Sequence, residues 1–292
     1  MKRKNVIAVL LGLCVLALVL VFTQALDADA ANKTKLTEAH DGQVYVYDGF
    51  GWIWMTPVEG VPVNTITEED FIWQGSTPLY VGDEYRVTRG IDVSEHQKEI
   101  DWRQVANAGM DFAFIRIARR GYSEGGLFED EYYAKNIEGA LEAGLKVGVY
   151  FFSQATSPEE AAEEAEMTIR LLEPYRASIT LPVVYDWEKI YEDPSARTAG
   201  LEASTLSDCA AAFCDKVAEA GYTPSIYFNR HTGYYGFDLK RLENCVFWFA
   251  LPEAKYPSFY YATDIWQYSF TAEVPGISTP TDVNLMFRKI GG

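Results

Sequence analysis

From Arg89 onward the chain alternates short apolar runs with capped, helix-forming stretches, and no other feature restricts its fold as much. Gly90–Val93, Phe112–Ile117, Val147–Phe152, Leu181–Trp187 and Ser225–Phe228 are apolar runs of strand length. Between them, Asp101–Gly109, Asp130–Ala143, the segment opening at Ser157-Pro158-Glu159-Glu160, and Ser204–Ala220 carry helix signals. Asp101 and Ser157 are N-cap types, Pro158 suits a first turn, and Gly144 and Gly221 suit C-caps. Strands separated by helices pair in parallel, as an open sheet or a closed barrel. After Asn244 the strand-like runs Val246–Leu251, Ile265–Tyr268 and Val283–Met286 come with little helix between them, so the last strands are expected to close a barrel through loops. No repeat of solenoid period is visible.

The first 87 residues obey other rules. Lys2, Arg3 and Lys4 precede an uncharged run from Val6 to Phe22, and Ala28-Asp29-Ala30 then fits a small-residue cleavage pattern. Residues 1–30 therefore read as an export segment, either cleaved or kept as an anchor through residues 5–24, with the rest of the chain outside the cell. Residues 31–40 are a polar linker. Residues 41–87 form a small β-rich segment, with Val44–Tyr47 and Trp52–Trp54 as two strands around a turn and Pro57, Pro62 and Pro78 punctuating the remainder of the segment. Its aromatic residues suit packing better than free sugar stacking. The main domain is 88–292.

The chemistry concentrates at strand ends. In Val183-Val184-Tyr185-Asp186-Trp187-Glu188, residues two apart share a face, so Asp186 and Glu188 point the same way, about 6–7 Å apart along the strand. The C-terminal rim of a β/α barrel is where active sites are built. Paired carboxyls there suit glycoside hydrolysis, and repulsion with burial would keep one of them protonated near neutral pH. The same pair, taken alone, also reads as a solvated strand end. Asp92 ends the first barrel strand and Asp282 precedes the last, and first and last strands of a barrel are neighbours. Tyr150, Tyr227, Trp248 and Tyr268 stand near other strand ends, as core packing or as rings that stack on sugar.

Several of these runs, in order and at ordinary spacing, resemble glycoside hydrolase family 25, the Chalaropsis-type lysozymes. The resemblance lies in Gly90-Ile91-Asp92-Val93-Ser94 with Gln97, Ile100-Asp101-Trp102, Phe114-Ile115-Arg116, Asp130 with Asn136, and Val147–Phe152. It continues in Asp186-Trp187-Glu188, Ile226-Tyr227, Trp248 with Ala250, Ile265-Trp266-Gln267-Tyr268, and Asp282-Val283-Asn284. It implies a flattened β/α barrel of TIM-like type with five β/α units and extra closing strands. It also implies cleavage of the β-1,4 bond between N-acetylmuramic acid and N-acetylglucosamine. By the same resemblance Glu188 is the catalytic acid, Asp186 steadies a substrate-assisted intermediate, and Asp92 and Asp282 are the first-strand and last-strand acids. Lys98 and Leu251-Pro252-Glu253 depart from the family pattern. A non-catalytic wall-binding barrel and a chitinase-like hydrolase are the alternative readings.

Charge and ligand chemistry bound the partners. A formal net charge of −17 disfavours nucleic acid, which rewards clustered Lys and Arg. Three His residues and no Cys-x-x-Cys spacing leave no metal site or cofactor expected. Cys209, Cys214 and Cys245 read as buried thiols with at most one bridge, and Cys14 as apolar filler. The expected partner is the glycan strand of peptidoglycan, met by a monomer.

Overall fold

The computed structural model describes residues 42–190 and 193–291. The export segment and the linker expected from the sequence lie outside them. The chain divides into two compact units, one ending at Glu59 and one starting at Gly60.

In the first unit, β1 (Val44–Tyr47) and β2 (Trp52–Met55) form an antiparallel hairpin. The Asp48 carboxylate makes its turn by accepting the backbone N–H groups of Phe50 (2.8 Å) and Gly51 (2.9 Å). Gly49 takes a φ of 108°, which few other residues tolerate. Tyr45 pairs with Trp54, and its ring stacks on Trp52 at 5.2 Å, so the aromatics pack on one another along one face.

The second unit opens with another hairpin, β3 (Phe71–Gln74) and β4 (Thr77–Tyr80), strapped to the barrel flank. Phe71 meets Trp266 and Phe287 edge-on, at 5.5 and 6.4 Å, and the Trp73 indole donates to the Lys255 carbonyl at 3.1 Å. Eight strands then close into a barrel. They are β5 (Tyr85–Val93), β6 (Phe112–Arg120), β8 (Lys146–Ser153), β9 (Ile179–Trp187), β10 (Pro224–Asn229), β11 (Val246–Ala250), β12 (Ile265–Ala272) and β13 (Thr281–Lys289). Neighbours from β5 to β12 run parallel, while β13 is antiparallel to both β12 and β5 and completes the circuit. A short β7 (Leu127–Glu129) pairs with the end of β6. Helices α1 (Trp102–Asn107), α2 (Tyr133–Glu142), α3 (Pro158–Leu172), α4 (Ala203–Glu219) and α5 (Arg230–Tyr235) lie between successive strands as far as β11. Between β11 and β12, and between β12 and β13, the described residues contain loops only, as the thinning of helix signals implied.

Local chemistry explains most of these boundaries. Asp101 caps α1 by accepting the Gln104 N–H, and Ser157 caps α3 through Glu160 N–H. The second helix starts at Tyr133, three residues later than its sequence signal at Asp130. The Asp130 carboxylate is taken up by the N–H groups of Glu95 and Tyr132 and by Arg116, so its residue belongs to a buried turn. The short α5 is not anticipated by the sequence pattern, although Asn229 caps it by accepting the Thr232 N–H at 3.0 Å.

Inside the barrel, Phe112, Phe114, Leu181, Val184, Trp248, Ile265 and Met286 form the lower core. Two glycines make room for it. A Cβ on Gly90 would lie 2.3 Å from the Phe112 ring, and one on Gly148 would lie 2.5 Å from Phe114 and 2.7 Å from the Pro182 carbonyl oxygen. Gly148→Ala should therefore destabilise the fold by about 1–3 kcal/mol, as overpacking does. Denaturant unfolding checks this, and a Gly148→Ala protein as stable as the parent would show that the interior is looser than these contacts require.

Candidate active site

At the C-terminal mouth of the barrel the strands bring four acids into one cleft of about 200 Å³. On β9 the alternation sends Val184 into the core and Asp186 into the cleft above it, while Tyr185 turns outward onto Phe213 of α4 at 5.3 Å. Glu188 comes one step beyond the strand and lines the same cleft, so the shared face expected from the sequence is present. Asp92 and Asp282 are direct partners across the β5–β13 ladder, and both line the cleft. Arg116, Tyr150, Phe152, Tyr227 and Trp248 complete its walls, with His96 and Gln97 at the edge. A larger open groove of about 770 Å³ runs along the barrel flank beside α1 and α2, but the four acids do not line it.

Two amides organise the acids. Asn284 Nδ2 donates to Asp92 Oδ2 at 2.7 Å, and Gln267 Nε2 donates to the same oxygen at 2.9 Å and to Asp282 Oδ2 at 3.4 Å. Behind them, Trp248 Nε1 donates to Asn284 Oδ1 (2.8 Å), and the Tyr227 hydroxyl donates to Gln267 Oε1 (2.7 Å). Asp186 Oδ1 is buried and has no hydrogen-bond partner among the described residues. Arg116, which lines the same cleft, is engaged by Asp130 Oδ2 at 2.9 Å and Glu95 Oε1 at 3.0 Å.

Burial is the main reason these acids hold their protons. It pushes Asp92 up to about 6, against the opposing pull of the two amide hydrogen bonds. Glu188 is raised to about 7 by burial and then by the charge of Asp92. Asp282 is raised to about 8 by burial, then by Asp92 and Glu188. Asp186 is raised well above the ordinary aspartate range, by burial and then by Glu188 and Asp92, with Arg116 only partly offsetting them. Glu188 stands at the open mouth with its side chain reaching solvent, so water moderates its shift. Near neutral pH the cluster carries fewer than four negative charges.

The aromatic expectations divide. Tyr150 and Tyr227 line the cleft, Tyr227 through its hydroxyl link to Gln267. Trp248 forms the floor, packed on Phe114 at 4.6 Å and Tyr227 at 5.2 Å, so it supports the site from below. Tyr268 does not join them. Gln267 takes the inward position on β12, and period-two alternation turns Tyr268 outward, where its hydroxyl accepts from Arg89 Nε at 3.1 Å. Gln267, Asn284 and Arg116 are site residues that the sequence pattern alone does not single out. The available signals are Asn284 two residues after Asp282, and a charge within the apolar run Phe112–Ile117.

Known proteins resemble this chain in sequence and in fold. The family profile described as Glycosyl hydrolases family 25 matches residues 91–277. Lysozyme M1 of Streptomyces globisporus is 28% identical over 202 residues, covering 67% of this chain and 66% of that protein. The autolytic lysozyme of Clostridium acetobutylicum is 26% identical over 197 residues, covering 67% and 55%. The matches thus span less than two thirds of these relatives' length. Among solved structures, the bacterial lysozyme from Streptomyces coelicolor superposes with a TM-score of 0.53 at 25% identity, covering 70% of this chain and 93% of that one. The modular autolysin LytC from Streptococcus pneumoniae, solved with a synthetic peptidoglycan ligand, shares the fold with a TM-score of 0.61 at 23% identity, covering 85% and 57%.

The raised acids predict a pH dependence of stability. Each is protonated to higher pH in the folded state than in the unfolded chain. The stability this contributes is complete below the ordinary carboxylate range and is lost as pH rises through about 6 to 8. The melting temperature should fall between pH 5 and pH 8, and by less in Asp282→Asn. An equal fall in the variant, measured by circular dichroism, would mean that the Asp282 carboxyl is already ionised at pH 5.

Proposed function

This chain belongs to glycosyl hydrolases family 25, and from that membership together with the four-acid cleft we propose that it is a peptidoglycan muramidase. It would hydrolyse the β-1,4 bond between N-acetylmuramic acid and N-acetylglucosamine. The observation that carries this reading is Asp186 and Glu188, set two residues apart at the mouth of β9 with Asp92 and Asp282 facing them. The names of two relatives, Lysozyme M1 and the autolytic lysozyme, support the same chemistry.

In this reading Glu188 donates its proton to the leaving glycosidic oxygen. Its raised pKa keeps that proton available, and its place at the mouth gives it exchange with water. The sugar's acetamido oxygen attacks the anomeric carbon as the glycosidic bond breaks, and the cyclic intermediate carries positive charge. The unpartnered Oδ1 of Asp186 suits the acetamido N–H, and in its ionised form Asp186 would balance the positive charge of the cyclic intermediate. Water, deprotonated by Glu188 in the return step, then opens the intermediate. Asp92 and Asp282 tune the field around both groups. We read the barrel as the flattened form with five β/α units. Residues 1–30 are taken as the export or anchoring segment and 31–40 as a linker. The muramidase domain is placed at 88–292, acting outside the cell as a monomer, while 41–87 are left without a catalytic part.

Glu188→Gln should lower wall lysis by about 10²–10⁴-fold or more while leaving the fold intact. Borohydride reduction and mass spectrometry of the wild-type products should find N-acetylmuramic acid at the new reducing ends; N-acetylglucosamine there would identify a different hydrolase. Asp92 raises the pKa of Glu188, so Asp92→Asn should move the alkaline fall of kcat/KM to lower pH. A pH–rate profile whose alkaline limb stays in place would free Glu188 from the influence of Asp92.

A further inference from the structure

The opposite end of the barrel has a different chemistry. On β5 the inward face runs from Asp92 through Gly90 and Thr88 to Arg86, and on β13 it runs from Asp282 through Asn284 and Met286 to Arg288. On β8 the face that carries Tyr150 and Gly148 ends at Lys146. Three inward positions at the N-terminal end are therefore basic. They surround a cavity of about 350 Å³ floored by Phe112, Leu181 and Met286.

Two observations mark this cluster as more than a solvated surface. Arg86 and Arg288 are direct partners across the β5–β13 ladder, where like charges repel and destabilise the pair. Among the described residues, none of the three cations has an ion-pair partner, although the chain carries 42 acidic residues against 25 basic ones. Neighbouring Lys289, pointing the other way, does pair, with Glu84 at 3.1 Å. The one acid at the cavity, Asp111, already accepts the Arg89 N–H at 3.0 Å, and its loop is pinned by Lys146 N–H to the Asp111 carbonyl at 3.0 Å. Three cations face one carboxylate.

We propose that this basal cavity is an anion site for phosphate groups. Two guanidinium forks and an ammonium line one cavity, where Arg288 Nη2 makes only a weak contact with Met286 Sδ at 3.9 Å; together they suit an oxyanion with several acceptor oxygens, and a dianion would relieve the Arg86–Arg288 repulsion. A phosphate group reaches such a site either as free phosphate or as part of a phosphodiester polymer of the envelope. The site lies at the far end of the barrel from the carboxylates, so occupancy leaves cleavage of short glycans unchanged and acts on where the protein is held.

The test compares melting in sodium phosphate and in sodium chloride at equal ionic strength, and calorimetric titration with inorganic phosphate and with a glycerol-phosphate oligomer. Phosphate should raise the melting temperature of the wild type by a few degrees over chloride, as a ligand of the folded state does. Arg86→Gln/Arg288→Gln should lose that increment and weaken phosphate binding by about tenfold or more. It should also melt higher than the wild type in chloride, because the repulsion is gone. Lys146→Gln provides a second variant, exposed and remote from the ladder, with a weakening of about threefold. Tighter binding of the oligomer than of inorganic phosphate points to the polymer, and equal affinity per phosphate points to free phosphate; both support the site. Equal melting in the two salts, or a phosphate effect that survives the double substitution, overturns it.

Discussion

An indole N–H can only donate a hydrogen bond, and from Trp248 that fact sets the polarity of the whole acidic cleft. Because Trp248 donates to Asn284 Oδ1, the Asn284 amide must turn its NH₂ toward Asp92. Gln267 is oriented in the same sense by its contacts with Tyr227 and the two aspartates. Asp92 Oδ2 thus receives two N–H donors and is the acid whose ionised form the protein favours most, which is why its pKa rises least among the aspartates of the cluster. Without that chain of amides, Asp92 would lose both donors to its carboxylate, and the protein would no longer favour its ionised form over those of its neighbours.

The amide chain depends in turn on the antiparallel closing strand. Asn284 and Asp282 both come from β13, and their register against Gly90 and Asp92 holds amide and acids within reach. A barrel closed by a parallel strand would reverse that sequence of residues along its axis. Ion pairs elsewhere divide by burial. Arg120 with Glu164, at 2.7 Å, is a buried bond that ties α3 to β6, and removing one partner would strand a charge at a cost of about 3–5 kcal/mol. The exposed pairs, such as Lys216 with Glu166, are screened by water and do little to hold the site.

How much of this is legible in the sequence depends on the range of the interaction concerned. Period-two alternation within one strand places Asp186 and Glu188 on a common face, and the neighbour relation of first and last strands places Asp92 beside Asp282. The capped helix ends of α1 and α3 are readable because their hydrogen bonds span three residues. The late start of α2 is not, since Asp130 is claimed by Glu95, 35 residues away. The amides of Gln267 and Asn284 reach Asp92 across 175 and 192 residues, and no local pattern encodes such contacts. Tyr268 is misplaced by the sequence pattern for a related reason. A strand read from composition has two faces, and only the register with β13 decides that Gln267 faces inward and Tyr268 outward.

The two acids of β9 differ most in access to water, and under the proposed chemistry that difference assigns their parts. A general acid must regain its proton at every turnover, which requires contact with solvent. Glu188 has that contact, because it lies one residue beyond the strand where the wall opens. Asp186 is enclosed by the strand end, with one oxygen lacking any partner among the described residues. Its value is electrostatic: in a dry pocket its charge acts at short range with little screening, provided that a cationic intermediate forms beside it to lower its pKa. Exchanging the two, so that Asp stood at the mouth and Glu inside, would shorten the reach of the acid and crowd the enclosed position. The sequence Asp-Trp-Glu thus sets the length of each side chain to its place, with Trp187 between them turned outward.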